Sequence, residues 1–568
     1  MDCNLIRDIL LDERNIGSIV CKERESYNNT TYDCLANCDL ILFEERIPIA
    51  IGINDSWQTE LFDFYIMNYE SFPFIPHVSR NGKMCLYDLE GALIDAQLKG
   101  LLKQCIAQAR DIINAGLTGS NRLDFIREFQ AYWLDLPGAM LAKFESLDRG
   151  PCGILKYIYS IPQKSNKESV SAYQRRKRAI PLYACLEGSK MFQTWGIEGT
   201  QKNGLYAYIK PEDYIYPPDP RLSLSVGYVN GILKLIEKSD IMRLIRKLNH
   251  TMVFVFDLHQ PDNSRVIIGV YCENGHLKEN EHEFQLTDDS RIRPLYIQRM
   301  ETESLQCRTA EIANPLRDKK ILIIGCGSIG GYLAEMLAKS GCSQLMLVDD
   351  QKMHEENIFR HLLGMRYVDQ YKTVALSEYL ASDVPDIMIR SVEEKVQDAI
   401  SDGSIDLSEY DIVVVATGNH NVNRWINDYI IEHELTAMVV YSWNEPLDIG
   451  CHVAVVDYTK EGDYRDLFTR DVNGILYDRT AFCSPSQEIT RNLYGCGGSF
   501  IPYGSEVSIQ AASMAVDVIK RYVTNRVVHN TVLSLKGSGY FFQQAGMKHT
   551  ERYEKQITPY QEVCLTDL

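Results

Sequence analysis

The chain has 568 residues with 59 Lys and Arg against 77 Asp and Glu, a net charge of −18, and that length exceeds a single hydrophobic core, so several domains are expected. The acidic balance argues against nucleic acid as a general partner, because phosphate binding needs a basic face; the basic run QRRKR at 174–178 is read as a solvated linker. No apolar run approaches a membrane span, and the 16 cysteines are scattered with no secretory signal before them, so no membrane partner and a reducing, cytoplasmic setting are expected.

Residues 1–14 have the spacing of an amphipathic helix, strand-like segments follow around 31–43, 47–53 and 59–68, and the strands stop at SFPFIP. After Cys85 apolar residues recur at helical spacing through 92–116 and again through 120–146. A first α+β domain over 1–150 is therefore expected, closed by the turn cluster GPCG. Residues 151–300 hold short strand-like runs (ILKYIYS, TMVFVFDL, SRVIIGVYC) and the turn cluster YPPDP, and read as a mixed, mostly β connecting domain. From 301 to 548 apolar strands alternate with helices as in a doubly wound α/β domain, and 549–568 is a polar tail expected to be mobile.

The α/β region carries the strongest motif. In ILIIGCGSIGG (321–331) a buried strand runs into Gly325, Gly327 and Gly330, where a helix opens; glycines permit a tight turn and close approach to phosphate, and the helix N-terminus favours an anion. Asp349, ending the next apolar strand, is placed to accept hydrogen bonds from ribose hydroxyls. Dehydrogenases share those features. Asn357, Arg360 and Lys372 then add an amide and two cations, which suits a triphosphate better than a dinucleotide.

Three cysteines sit in settings that suit a nucleophile. Cys85 lies in FPFIPHVSRNGKMCLYD (72–88), a Pro-rich and turn-rich stretch before a helical region. Cys496, in LYGCGGSFIPYGS (493–505), is flanked by Gly495, Gly497 and Gly498 and precedes a helical segment; Cys483, in AFCSPSQ, lacks flanking glycines and ranks below it. No C-x-x-C pair is present, so no zinc site is expected.

GCGSIGG, VDD, NIFRH and Lys372 resemble the adenylation domain shared by ubiquitin-activating enzymes and the bacterial ThiF and MoeB proteins. The resemblance implies ATP as co-substrate with Mg2+, the glycines as phosphate loop, Asp349 as ribose ligand, and Asn357, Arg360 and Lys372 around the phosphates. Where that family has an Asp after the next apolar strand this chain has Gly418, so the magnesium ligands stay open. Residues 72–88 resemble the active-site segment of ubiquitin-conjugating enzymes, with Phe72-Pro73-Phe74, Gly82, Cys85 and Leu86 in family order and His77 in the slot of the oxyanion-polarising Asn, as a donor to the thioester oxygen or as a structural histidine. Asp88 stands three residues on, as an orienter of an incoming lysine or as a solvated carboxylate. The segment with Cys496 is similar in order and setting to the activating enzymes' crossover loop, which implies that Cys496 is the thiol that takes the acyl group.

The order conjugating, connector, activating resembles the E1–E2 fusion proteins of bacterial CBASS antiphage operons. That implies a homodimer which adenylates the C-terminus of a cGAS-like nucleotidyltransferase, holds it as a thioester on Cys496, passes it to Cys85 and joins it to acceptor amines. Arg308 or Arg317 is expected to reach ATP across the dimer. Activation of a sulfur carrier, as by ThiF or MoeB, and nicotinamide-dependent oxidoreduction remain the alternatives.

Overall fold

A computed structural model describes residues 2–568 apart from 44, 88–94, 96, 146–151, 160–180, 190, 280–283, 307–313, 385, 386, 486 and 493–498. The chain divides into two units, Met1–Met300 and Glu301–Leu568.

The first unit begins with helix α1 (Cys3–Leu11), where the Asp2 carboxylate accepts the Asn4 N–H at 2.9 Å and Ile6, Ile9 and Leu10 form the buried stripe. An antiparallel sheet follows in the order β1 (Ile16–Tyr27), β2 (Thr30–Leu42), β3 (Glu45–Ile53) and β4 (Asp63–Ile66). Helix α2 (Leu98–Thr118) lays Leu102, Cys105, Ala109 and Ile113 on this core and ends at Gly119, whose φ of 73° is left-handed. Cys3 of α1 and Cys34 of β2 face each other, with their Cα atoms 5.6 Å apart.

The helical pattern expected to continue to residue 146 stops earlier. Helices α3 (Asp124–Arg127) and α4 (Phe129–Asp135) give way at Pro137 and Gly138 (φ 78°), which cannot extend a helix, and Met140–Glu145 becomes strand β5. That strand enters a closed seven-stranded barrel with β6 (Cys152–Ile158), β7 (Leu182–Leu186), β8 (Lys202–Ile209), β9 (Met252–His259), β10 (Arg265–Glu273) and, beyond a small hairpin of β11 (Leu277–Glu279) and β12 (Phe284–Leu286), β13 (Arg291–Arg299). The barrel order is β10-β13-β5-β7-β6-β8-β9. Its wall buries Asp257, which receives two hydrogen bonds from Arg265 (2.8 and 2.6 Å) and one from Tyr206 (2.7 Å).

The second unit is built on an eight-stranded sheet. Strands β14 (Lys320–Ile324), β15 (Gln344–Val348), β16 (Met388–Val392), β17 (Ile412–Val415) and β18 (Met438–Asn444) are parallel in the order β16-β15-β14-β17-β18. Central strands such as IVVV and MVVYSW are buried on both faces and accordingly apolar but for Ser442. Helices α5 (Ser328–Lys339), α6 (Lys372–Asp383), α7 (His420–Glu432) and α8 (Ser505–Val523) flank the sheet. Antiparallel strands β19 (Gly450–Asp457) and β20 (Thr531–Lys536) extend it. The tail, expected to be mobile, is instead ordered. After a short helix (Glu551–Lys555), β21 (Tyr560–Cys564) pairs with β20 from Thr531↔Cys564 to Leu535↔Tyr560, because a polar strand suits a sheet edge.

Candidate active site

Winding of the sheet reverses between β14 and β17, which leaves a crevice at the carboxyl ends of these strands. Gly325 turns the chain there with φ 91°, donating its N–H to the Val348 carbonyl at 2.8 Å; a Cβ on it would meet the Ala416 backbone at 2.8 Å. A Cβ on Gly330 would run into the Gly325 carbonyl oxygen, so the first turn of α5 packs against the loop only with glycine there. Gly327 is the N-cap of α5 without any side-chain cap, which leaves first-turn N–H groups for an anion.

Asp349 follows β15 at the same crevice. Its carboxylate accepts the N–H of Cys326 at 2.7 Å and of Gln351 at 2.8 Å. Burial raises its pKa above the usual carboxylate range, while Lys372 and the two N–H donors oppose that shift. Lys372 is itself buried, with Nζ donating to Gln351 Oε1 at 2.7 Å. Asn357 Oδ1 accepts the His354 N–H at 3.1 Å, and the Arg360 guanidinium lies 5.1 Å from the ring centre of Tyr503. The loop and Asp349 thus come together through the Cys326 peptide. Arg317 is exposed and Arg308 lies outside the described residues. Gly418 follows β17 with φ 66°, and among the described residues no group of three or more His, Cys, Asp or Glu gathers as a metal site.

His361, quoted within NIFRH but given no role by sequence reasoning, proves central to the loop. Buried beneath it, the ring donates Nε2–H to the Cys326 carbonyl at 2.8 Å and accepts the Leu363 N–H at Nδ1, 3.0 Å away. Burial holds its pKa down at about 4, so the ring is neutral. With Asp349 on the N–H of Cys326 and His361 on its carbonyl, the two peptide groups that flank the Cys326 Cα are both fixed.

In the first unit Cys85 is exposed on a loop that buries Val78 and Met84, and its N–H donates to the His77 carbonyl at 2.8 Å. It lines a cavity of about 640 Å³ with His77, Tyr87, Glu128, Tyr132 and Asp135. His77 has φ 63°; its N–H donates to Tyr132 Oη at 2.7 Å, its Nδ1 is 2.6 Å from Glu128 Oε1 and its Nε2 is 3.2 Å from Asp124 Oδ2. Both ring nitrogens are therefore engaged by carboxylates, and the bond to Glu128 raises the pKa of the ring against the effect of burial. The imidazole has no N–H left for a thioester oxygen, so the oxyanion role for His77 gives way to a structural one. Upstream, Arg221 donates to the carbonyls of Tyr69 (2.7 Å) and Phe72 (2.9 Å) while paired with Asp219, fastening the start of this segment to YPPDP. Asp88 lies outside the described residues.

The segment between β19 and α8 carries the other two thiols. Phe482 and Cys483 both donate N–H bonds to the buried carboxylate of Glu445, the latter at 2.8 Å, and Glu445 also bonds His452 Nε2 at 2.9 Å. Burial and the Glu445 charge push the Cys483 thiol up to about 11, which suits a structural cysteine. Further on, Arg491–Asn492 pairs antiparallel with Ser499–Phe500. The six residues between, including Cys496, lie outside the described residues.

Residues 304–555 match the ThiF family and residues 38–138 match the prokaryotic E2 family B. Joined in one chain, the two define an E1/E2-like ATP-dependent activating and conjugating enzyme. The chain is an E1–E2 fusion of the kind found in CBASS operons. It is similar to the ATP-dependent ubiquitin transferase-like protein Cap2 of Pseudomonas aeruginosa (22% identical, over 79% of this chain and 80% of that protein) and of Escherichia coli TW11681 (25% identical, over 82% and 84%). Among solved structures, E. coli MccB aligns over 44% of this chain and 66% of its own at 17% identity and a TM-score of 0.30, too loose a likeness to build on.

Proposed function

We propose that the crevice at β14 and β17 binds ATP and that the enzyme joins the C-terminal carboxylate of a partner protein to an amine through two thioesters. The observation that carries the nucleotide reading is the convergence of an uncapped helix N-terminus, Asp349 and Lys372 on one loop. A carboxylate is a poor electrophile. Attack of its oxygen on the α-phosphorus of ATP, with pyrophosphate leaving, makes a mixed anhydride. The Cys496 thiolate then attacks the acyl carbon and AMP departs; Cys85 takes the acyl group in the same way, regenerating Cys496. An unprotonated amine finally attacks the Cys85 thioester, the amide forms, and the proton lost by nitrogen balances the released thiolate. Cys496 is preferred to Cys483 because the latter is held by Glu445 and has its thiol pushed up to about 11. Magnesium would neutralise the phosphate oxygens and, with Gly418 where the family has an Asp, would be held mainly by those oxygens or by another group.

We further infer that the partner is a cGAS-like nucleotidyltransferase, that the setting is antiviral defence in the cytoplasm, and that the enzyme works as a homodimer through its second unit, with Arg308 or Arg317 reaching across. The size and overlap of the relatives named Cap2 support this reading. Incubating the protein with ATP and a cGAS-like nucleotidyltransferase, then running a non-reducing gel, tests it: a thiol-reducible adduct is expected only with ATP. Sulfur-carrier activation is the second reading, and under it Cys85 is dispensable and the partner ends in Gly-Gly.

A further inference from the structure

Tyr503 stands where the crossover segment rejoins the α/β unit, directly before Gly504, the N-cap of α8. Its ring centre is 5.1 Å from the Arg360 guanidinium and its hydroxyl is 3.4 Å from the Ser328 hydroxyl in the first turn of α5. This stretch is fastened by the turn between β18 and β19. Gly504 donates its N–H to Asp448 Oδ1 at 2.7 Å, and Leu447 donates its own to the Pro502 carbonyl at 2.7 Å. Leu447 and Asp448 lie at φ 52° and 57°, a left-handed pair that aims both groups at the segment. The ring is thus held in place from its own backbone.

Arg360 is half-buried and, among the described residues, paired with no carboxylate. Its neighbour Phe359 is 95% exposed, so the loop itself offers little to hold a long side chain still. An unseated arginine loses rotamer freedom when a ligand fixes it, whereas one already lying on an aromatic face keeps its planar N–H edge free for phosphate oxygens.

We propose that Tyr503 is a positioning residue for nucleotide binding: its ring seats the Arg360 guanidinium beside the first turn of α5 before the triphosphate arrives. This rests on the assignment of Arg360 to the phosphates. It also gives the crossover segment a direct contact with a nucleotide-binding group.

The test is titration of the full-length protein with ATP and, separately, with adenosine, for wild type, Arg360→Ala, Tyr503→Phe, Tyr503→Leu and the double variant Arg360→Ala/Tyr503→Leu. Tyr503→Leu is expected to weaken ATP about two- to fivefold, and Tyr503→Phe, which keeps the ring, by less than about twofold. Adenosine binding should be unmoved, since the effect acts through phosphate. The double variant should bind ATP as Arg360→Ala does, because a ring with no guanidinium above it has nothing to seat. Three results overturn the inference while leaving Arg360 in place: wild-type ATP affinity in Tyr503→Leu, equal weakening of ATP and adenosine, or additive losses in the double variant. An Arg360→Ala protein that binds ATP as tightly as wild type removes the phosphate role of Arg360 and the inference with it.

Discussion

His361 donates its Nε2–H to the carbonyl of Cys326 at 2.8 Å while its Nδ1 accepts the N–H of Leu363 at 3.0 Å. Two opposite bonds on one ring are compatible only with the neutral tautomer protonated at Nε2. Burial depresses its pKa from the ordinary 6.5 to about 4, so the folded state binds fewer protons than the unfolded state between those values. Stability from this group is then lost as pH falls from about 6.5 toward about 4, and does not change above that window. Thermal unfolding across pH 4.5 to 8 should show His361→Gln, which has no titrating ring, with a shallower acid slope than wild type; an identical slope would remove His361 as its source. Because Gln can still donate to the Cys326 carbonyl, ATP binding should survive in His361→Gln and fall roughly tenfold in His361→Ala, which leaves a buried carbonyl unpaired.

Asp349 presents one oxygen to Cys326 and the other to Gln351, and each retains a lone pair for a ribose hydroxyl. Asp349→Ala should abolish measurable ATP–pyrophosphate exchange, since hydrogen bonds to a charged acceptor contribute about 1.5–3 kcal/mol each. Asp349→Asn should fare little better, because its amide nitrogen must face one of two backbone N–H groups. Exchange at the wild-type rate in either variant contradicts the ribose assignment.

The loop bearing Cys85 depends on a titrating group. His77 is held by Glu128 and Asp124, and the Glu128 bond raises its pKa above the ordinary 6.5. A raised histidine stabilises fully below its ordinary pKa and loses that contribution as pH rises through the folded value. The gap in thermal midpoint between wild type and His77→Gln should therefore be widest below the ordinary 6.5 and narrow as pH rises above it. A constant gap would mean that the ring acts by packing alone.

Asp257 lies fully buried in the barrel wall with Arg265 and Tyr206 as its donors. Removing one partner of such a pair leaves the other charge uncompensated, so Asp257→Ala should destabilise the first unit by about 3 kcal/mol. Urea unfolding followed by a probe in that unit measures it, and a loss under about 1 kcal/mol would mean that the site relaxes or hydrates.

Local motifs were legible in the sequence and distant pairings were not. The phosphate loop is read from glycine spacing because strand, turn and helix start within eleven residues, 321–331. The segment with Cys85 is legible for the same reason. The partners of His77 are 47 and 51 residues away, so nothing near it in the chain announces that its ring is occupied. Strand β1, IGSIVCKERESY, escaped notice because an edge strand exposes one face and carries charges there. Met140–Glu145 reads MLAKFE, residues at home in a helix, and becomes a strand only because β13 and β7 flank it. Tyr503 gave no sequence signal, since β16, β17 and β18 lie between it and Arg360 in the chain.

The central claim is a relay between two thiols, and the most direct test is to follow labelled cGAS-like nucleotidyltransferase on a non-reducing gel with ATP and the wild-type, Cys85→Ala and Cys496→Ala proteins. The account predicts that Cys85→Ala accumulates a reducible adduct, mapped to Cys496, and that Cys496→Ala forms adenylate but no thioester on either cysteine. Mixing the two inactive variants should restore ligation in heterodimers if transfer crosses the dimer. Joining of the partner to an amine by both single variants, each on its own, would contradict the relay.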